Sequence, residues 1–178
     1  KVHDGVIVKK KGEKFTTVVQ IGIGGSDLGP RAIYIALENV EEVKMTAHFI
    51  SNVDPDDASA VLNSINVATS LFIVVTKSGS TLETLTNEAF VKDALVKRGL
   101  NPSKHMLAVT SEASPMAHND GYLEAFYMDN YIGGRYSVSS AVGGAVLSLA
   151  FGPEVFGAFL DGAAANDKCA ADAAWRRN

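Results

Sequence analysis

Cysteine is nearly absent. Cys169 is the only one in 178 residues, so neither an intramolecular disulfide nor a Cys-x-x-Cys metal knuckle can form. A reducing compartment, and with it a cytoplasmic location, is the matching expectation. A surplus of positive charge is missing too. The chain has 16 Lys and Arg against 20 Asp and Glu, a net charge of −4, which gives no global pull toward nucleic acid. Its one basic run, Lys9-Lys-Lys11 with Lys14, sits in a hairpin-like segment and reads as a solvated loop. No apolar run approaches the ~20 residues of a membrane span, and the N-terminus lacks a signal-peptide core. Neither a membrane nor a nucleic acid is an expected partner.

Several catalytic signatures are also lacking. A dinucleotide fingerprint beginning at Gly22 and Gly24 would need glycine at position 27, where Asp27 stands. The Gly-Lys-Ser/Thr ending of a P-loop is absent. No Gly-x-Ser-x-Gly elbow is present, so Ser26 is not expected to be a hydrolase nucleophile. The four histidines do not form a set, and no His/Asp/Glu cluster has metal-ligand spacing. No metal or cofactor is expected.

What is present fits a soluble globular chain, with 47% hydrophobic and 20% charged residues. The length suits one well-buried domain spanning 1–178. An N-terminal hairpin is expected over 1–16 and C-terminal helices over 139–178. Strands are predicted at Thr17–Ile21, Lys44–Ser51, Leu71–Val75, His105–Thr110 and Leu123–Met128. Helices are predicted from Gly29-Pro30 to about Asn39, from Asp54 to about Ile65, from Ser80-Thr81 to Gly99, over Ser139–Ala150, and from Pro153 onward. Asp54 is a capping residue before Pro55, and Ser80-x-x-Glu83 resembles a capping box. Strands alternating with helices predict an α/β fold, a five-stranded parallel sheet with helices on both faces. Ligands of such sheets sit beyond the carboxyl ends of the strands. The Ala-rich helical pattern from Ala163 to Trp175 is still running at the last residues, and the expectation is a fragment of a larger protein.

Three constellations follow strands. The first is Gly22-Ile-Gly-Gly-Ser-Asp-Leu-Gly-Pro30, a glycine-rich turn that lets a ligand approach bare backbone. A tight turn under a helix would also account for it. The second is Thr76-Lys-Ser-Gly-Ser-Thr81, four hydroxyls and one Lys at a helix start. A phosphate dianion needs such donors, although capping and turn chemistry would explain part of the set. The third is Tyr131-Ile-Gly-Gly-Arg-Tyr-Ser137, which could aim Arg135 at the strand ends or be a loop with a solvated Arg. The density of donors with a cation places the phosphate at the second constellation, leaving the first as the floor of the site.

Together, these segments, with the second extended through Leu82-Glu-Thr84, resemble the glucose-6-phosphate isomerase family in motif order and rough spacing. The resemblance covers nearly the whole chain. It implies a flavodoxin-like SIS (sugar isomerase) domain, a three-layer α-β-α sandwich, acting without metal or organic cofactor on a small sugar phosphate. By motif, Thr76, Lys77, Ser78 and Thr81 would hold the phosphate, and Gly25, Ser26 and Gly134 would line the sugar. Arg135 would be the catalytic cation that stabilises an enediolate. The family more often has Ser at the position of Thr76 and Thr-Phe-Thr where Ser78-Gly79-Ser80 stand. Its catalytic glutamate, ring-opening histidine and late lysine lie beyond the third motif. The resemblance therefore implies a piece that binds sugar phosphate without the base, from a parent expected to be a homodimer. The alternative is a non-catalytic SIS-type regulatory domain that only senses a sugar phosphate.

Overall fold

The computed structural model describes residues 2–4, 7 and 13–171. Most of the expected hairpin over 1–16 and the helical pattern beyond Ala171 lie outside those residues.

Three consecutive β-branched or apolar runs form the centre of the sheet: β1 (Thr17–Ile21), β3 (Ser70–Val75) and β4 (Met106–Thr110), with every residue buried. Such unbroken burial is the mark of a strand covered on both faces. The edges, β2 (Thr46–Ile50) and β5 (Glu124–Tyr127), are more exposed. All five strands are parallel, in the order β2-β1-β3-β4-β5. The α/β sheet expected from the sequence is therefore present, with its five strands at the predicted places.

Alternation along β1 divides the core in two. Val18 faces α1 (Gly25–Leu37) and α4 (Ala141–Phe151), packing with Tyr34, Val142, Val146 and Phe151. Val19 and Ile21 face α2 (Pro55–Ser64) and α3 (Leu82–Lys97), packing with Ala58, Leu62, Val91 and Leu95. Helices on both faces give three layers. A fifth helix, α5 (Pro153–Ala171), follows the glycine that ends α4 and has no buried residue. β1 lies between β2 and β3, so the chain reverses its winding direction there. That reversal opens a crevice beyond the carboxyl ends of β1 and β3.

Helix ends follow local chemistry in two places and defy it in two. Asp54 caps α2 by accepting from the Asp56 amide at 2.9 Å. Gly99, at φ 71°, ends α3 with paired bonds from Gly99 N to Val96 O and Leu100 N to Leu95 O, the Schellman arrangement that favours glycine. By contrast, α1 begins at Gly25 rather than at Gly29-Pro30, with Pro30 inside it. The capping box is also absent. Thr81 is the N-cap of α3 and makes no side-chain cap bond, while the Ser80 hydroxyl donates to Ser78 Oγ at 2.8 Å. The helix expected from Ser139 begins at Ala141, after a separate 3-10 turn over residues 134–139.

Candidate functional site

At the end of β1 the chain turns sharply. Gly22 N donates to Ile50 O at 3.2 Å, and Gly24 takes φ 58°, a conformation that side chains resist. The next residue explains the third motif. A Cβ added to Gly25 would lie 2.3 Å from the carbonyl carbon and oxygen of Gly134. The two backbones touch, and no other residue type fits without movement. The Ser137 hydroxyl lies 3.1 Å from Gly25 O and 2.7 Å from Gly134 O, sharing its proton between them. Val138 packs against the bare face of Gly29, 3.0 Å from where a Cβ would be. Residues 133–139 are thereby pinned to the start of α1.

The second motif closes on itself. Thr76, buried at the end of β3, pairs its Oγ1 with Thr81 Oγ1 at 2.9 Å. Thr110 Oγ1 donates to Thr76 O at 2.7 Å. Gly79, at φ 69°, passes so close to Ser114 that a Cβ would sit 2.2 Å from its Oγ. Because Thr81 spends its hydroxyl on Thr76, the first amides of α3 carry no side-chain cap. They follow directly on the exposed Ser78 and Ser80. Amides at a helix start with nearby hydroxyls suit an anion.

Lys77, expected to hold the phosphate, directs Nζ at two backbone carbonyls, Asn130 O and Ile132 O, each at 3.1 Å. One N–H of its three remains, and its charge stays exposed beside the loop. This bond ties the second motif to the segment leading into the third. Lys77, Ser78 and Asn130 also line a cavity of about 210 Å³ with Ser111, Ala113 and Ser114. Arg135 is exposed and makes no hydrogen bond or ion pair among the described residues. The residue before it, Gly134, sits against the glycine turn.

The neighbouring ionisable groups are already engaged. Asp27 is buried and receives Arg31 Nε at 2.9 Å; Arg31 Nη2 reaches Ser51 Oγ at 2.9 Å. Burial pushes the Asp27 carboxyl above its ordinary pKa, against the pull of Arg31. Glu88 is buried on α3, accepts from the Tyr122 hydroxyl and pairs with Lys92 at 2.6 Å. Burial, then Glu88, raise the Tyr122 pKa. His105 donates Nδ1 to Ser70 O at 3.0 Å, since a carbonyl can only accept. Among the described residues, no group of three or more His, Cys, Asp or Glu could hold a metal.

All the sequence-predicted residues thus lie at one edge of the sheet. Gly25 and Gly134 meet directly, Ser26 and Arg135 are the next residues along each backbone, and Thr76, Lys77, Ser78 and Thr81 form the adjacent loop. Ser137 and Thr110 bond to the backbone of these motifs, as does Gln20, whose Nε2 donates to Ser26 O, and none of the three received a role from the sequence. Gln20 did carry a signal, as a polar residue inside an otherwise β-branched strand.

Comparison with known proteins agrees with this arrangement. The family model described as Phosphoglucose isomerase matches residues 1–178. A glucose-6-phosphate isomerase from Treponema denticola is 66% identical over 167 residues, covering 94% of this chain and 32% of the relative. One from Treponema pallidum (strain Nichols) is 59% identical over 181 residues, covering 99% of this chain and 34% of the relative. The crystal structure of a glucose-6-phosphate isomerase from Chlamydia trachomatis superimposes with a TM-score of 0.85 at 49% identity, over 88% of this chain and 30% of that one. The chain spans about a third of the length of the curated relatives it matches. With the three motifs assembled at one sheet edge and the family model matching from end to end, the chain belongs to the phosphoglucose isomerase family.

Proposed function

We propose that this chain supplies the phosphate loop, the sugar floor and the enediolate-stabilising cation of a glucose-6-phosphate isomerase. The supporting observation is the backbone contact of Gly25 with Gly134, clasped by Ser137, which sets Arg135 beside the glycine turn. The phosphate dianion is held by the uncapped amides of α3 with Ser78 and with Thr81, whose hydroxyl proton is free when Thr76 donates to it, and the remaining Lys77 N–H adds positive charge. The sugar body lies on Gly25 and Ser26.

Isomerisation of glucose 6-phosphate to fructose 6-phosphate moves one proton from C2 to C1 and one between their oxygens. The intermediate is an enediolate, in which negative charge develops on oxygen. A fixed guanidinium there favours the transition state over the ground state. The carboxylate that carries the proton belongs to the rest of the longer polypeptide. Glu88 does not fill that role, being buried against Tyr122 and Lys92, and Glu83 is exposed on the first turn of α3 without a motif match.

The test is a coupled isomerase assay on the full-length protein. Arg135→Ala is expected to lower kcat by about 10²–10³-fold, the scale of losing one transition-state donor, with a smaller change in KM. Full turnover in R135A would remove Arg135 from the mechanism. No turnover in the wild type, with sugar-phosphate binding intact, would favour the sensor domain instead.

A further inference from the structure

We propose that Gln20 is a positioning residue for the sugar site, its side-chain amide replacing a backbone hydrogen bond that Pro30 cannot make. This rests on the reading of Gly25 and Ser26 as the sugar floor.

In a helix, the carbonyl of residue 26 takes its hydrogen bond from the amide of residue 30. Proline has no such amide, and Pro30 stands inside α1. The orphaned carbonyl is satisfied from outside the helix: Gln20 Nε2 donates to Ser26 O at 2.7 Å. The orientation of the glutamine follows, because Ser26 O can only accept and must face the NH2 group. Gln20 Oε1 then points away, and it is a buried atom with no partner among the described residues. An unpaired buried acceptor is costly, and an aliphatic side chain in this strand would avoid that cost. Gln20 is nevertheless only 1% exposed, in the middle of the apolar sheet. Its retained value is the donor.

The bond acts where the site is built. Ser26 is held on its other side by Gly22, whose absent Cβ would lie 2.8 Å from both Ser26 Cβ and Ser26 O. The residue before it, Gly25, is the one in backbone contact with Gly134. Gln20 thus sets the first turn of α1 against the strand end, and through it the approach of the turn to Arg135. Pro30 and Gln20 form a matched pair: one removes a donor, and the other returns it from the sheet.

The pairing yields a cycle of variants in the full-length protein. Gln20→Leu removes the donor and is expected to lower kcat about 10- to 100-fold, the scale of a small misplacement at a reacting centre, with little change in KM. The double variant Q20L/P30A is expected to regain most of that loss, because alanine at position 30 supplies the missing amide. Gln20→Glu places a second acceptor against the carbonyl when ionised and a donor when protonated. Its activity relative to wild type should therefore rise as pH falls, whereas a purely structural role would give parallel profiles. Q20E also serves if Q20L does not fold.

Wild-type kcat in Q20L, a double variant as impaired as Q20L, or a Q20E profile parallel to wild type would each overturn the proposal. Amide exchange across residues 24–28 reads the same cycle without substrate. Faster exchange in Q20L that P30A restores supports the bond, and unchanged exchange refutes it. If the wild type has no isomerase turnover, the functional reading fails and the exchange cycle alone decides the role of Gln20.

Discussion

Gly25 is the residue on which most depends, because its lack of a side chain lets two backbones meet. Gly25→Ala forces a methyl group into the Gly134 peptide, and overpacking of this kind costs about 1–3 kcal/mol. Denaturant unfolding should register that loss, and isomerase turnover in the full-length protein should fall with it. His48 offers a test through pH. It is half-buried in β2, and desolvation lowers its pKa from the ordinary 6.5. The unfolded chain therefore binds a proton first as pH falls through 6.5, and the folded state loses stability from there down to the lowered value. His48→Gln should flatten the decline in stability below that pH, seen in midpoints of denaturant unfolding across pH 5–8. Isolated residues of this kind were hard to read from sequence. Gln20 is a polar residue in a β-branched strand, and its partner Ser26 O matters only once Pro30 is known to lie inside the helix.

At the scale of elements, strands were legible and helix starts were not always so. Leu71-Phe-Ile-Val-Val75 needed no partner to be identified, because an unbroken apolar run of strand length is buried on both faces. Asp54 before Pro55 was equally plain, its cap bond spanning two residues. The capping box at Ser80 failed because the loop bonds to itself and the helix starts one residue later, with Thr81 as N-cap. Thr76 at the end of β3 takes the Thr81 hydroxyl, and Ser80 turns back to Ser78. The two helix starts should therefore respond differently. Asp54→Ala should cost about 1 kcal/mol of stability, while Ser80→Ala should stay within about 0.5 kcal/mol. Equal losses in thermal or denaturant unfolding would restore the capping box. The Lys77 bonds, reaching 53 and 55 residues along the chain, were beyond any local reading of the motif.

For the whole molecule, the parallel order β2-β1-β3-β4-β5 matters more than any one contact. The winding reversal at β1 brings the loops after β1 and β3 to the same crevice, and the segment after β5 is carried over to join them. Three motifs separated by some fifty residues each become one surface of glycine backbone, hydroxyls, helix amides and one exposed guanidinium. The sequence placed the phosphate at Thr76–Thr81 because donors are densest there, and the uncapped start of α3 supports that choice. The measurement that bears most directly on this is a crystal structure of the full-length protein with fructose 6-phosphate bound. The expected result is a phosphate within hydrogen-bond distance of Ser78, Thr81 and the first amides of α3, with the sugar over Gly25 and Arg135 near its C1–C2 end. A phosphate seated in the Gly22–Ser26 turn, or Arg135 turned away from the sugar, would contradict the account.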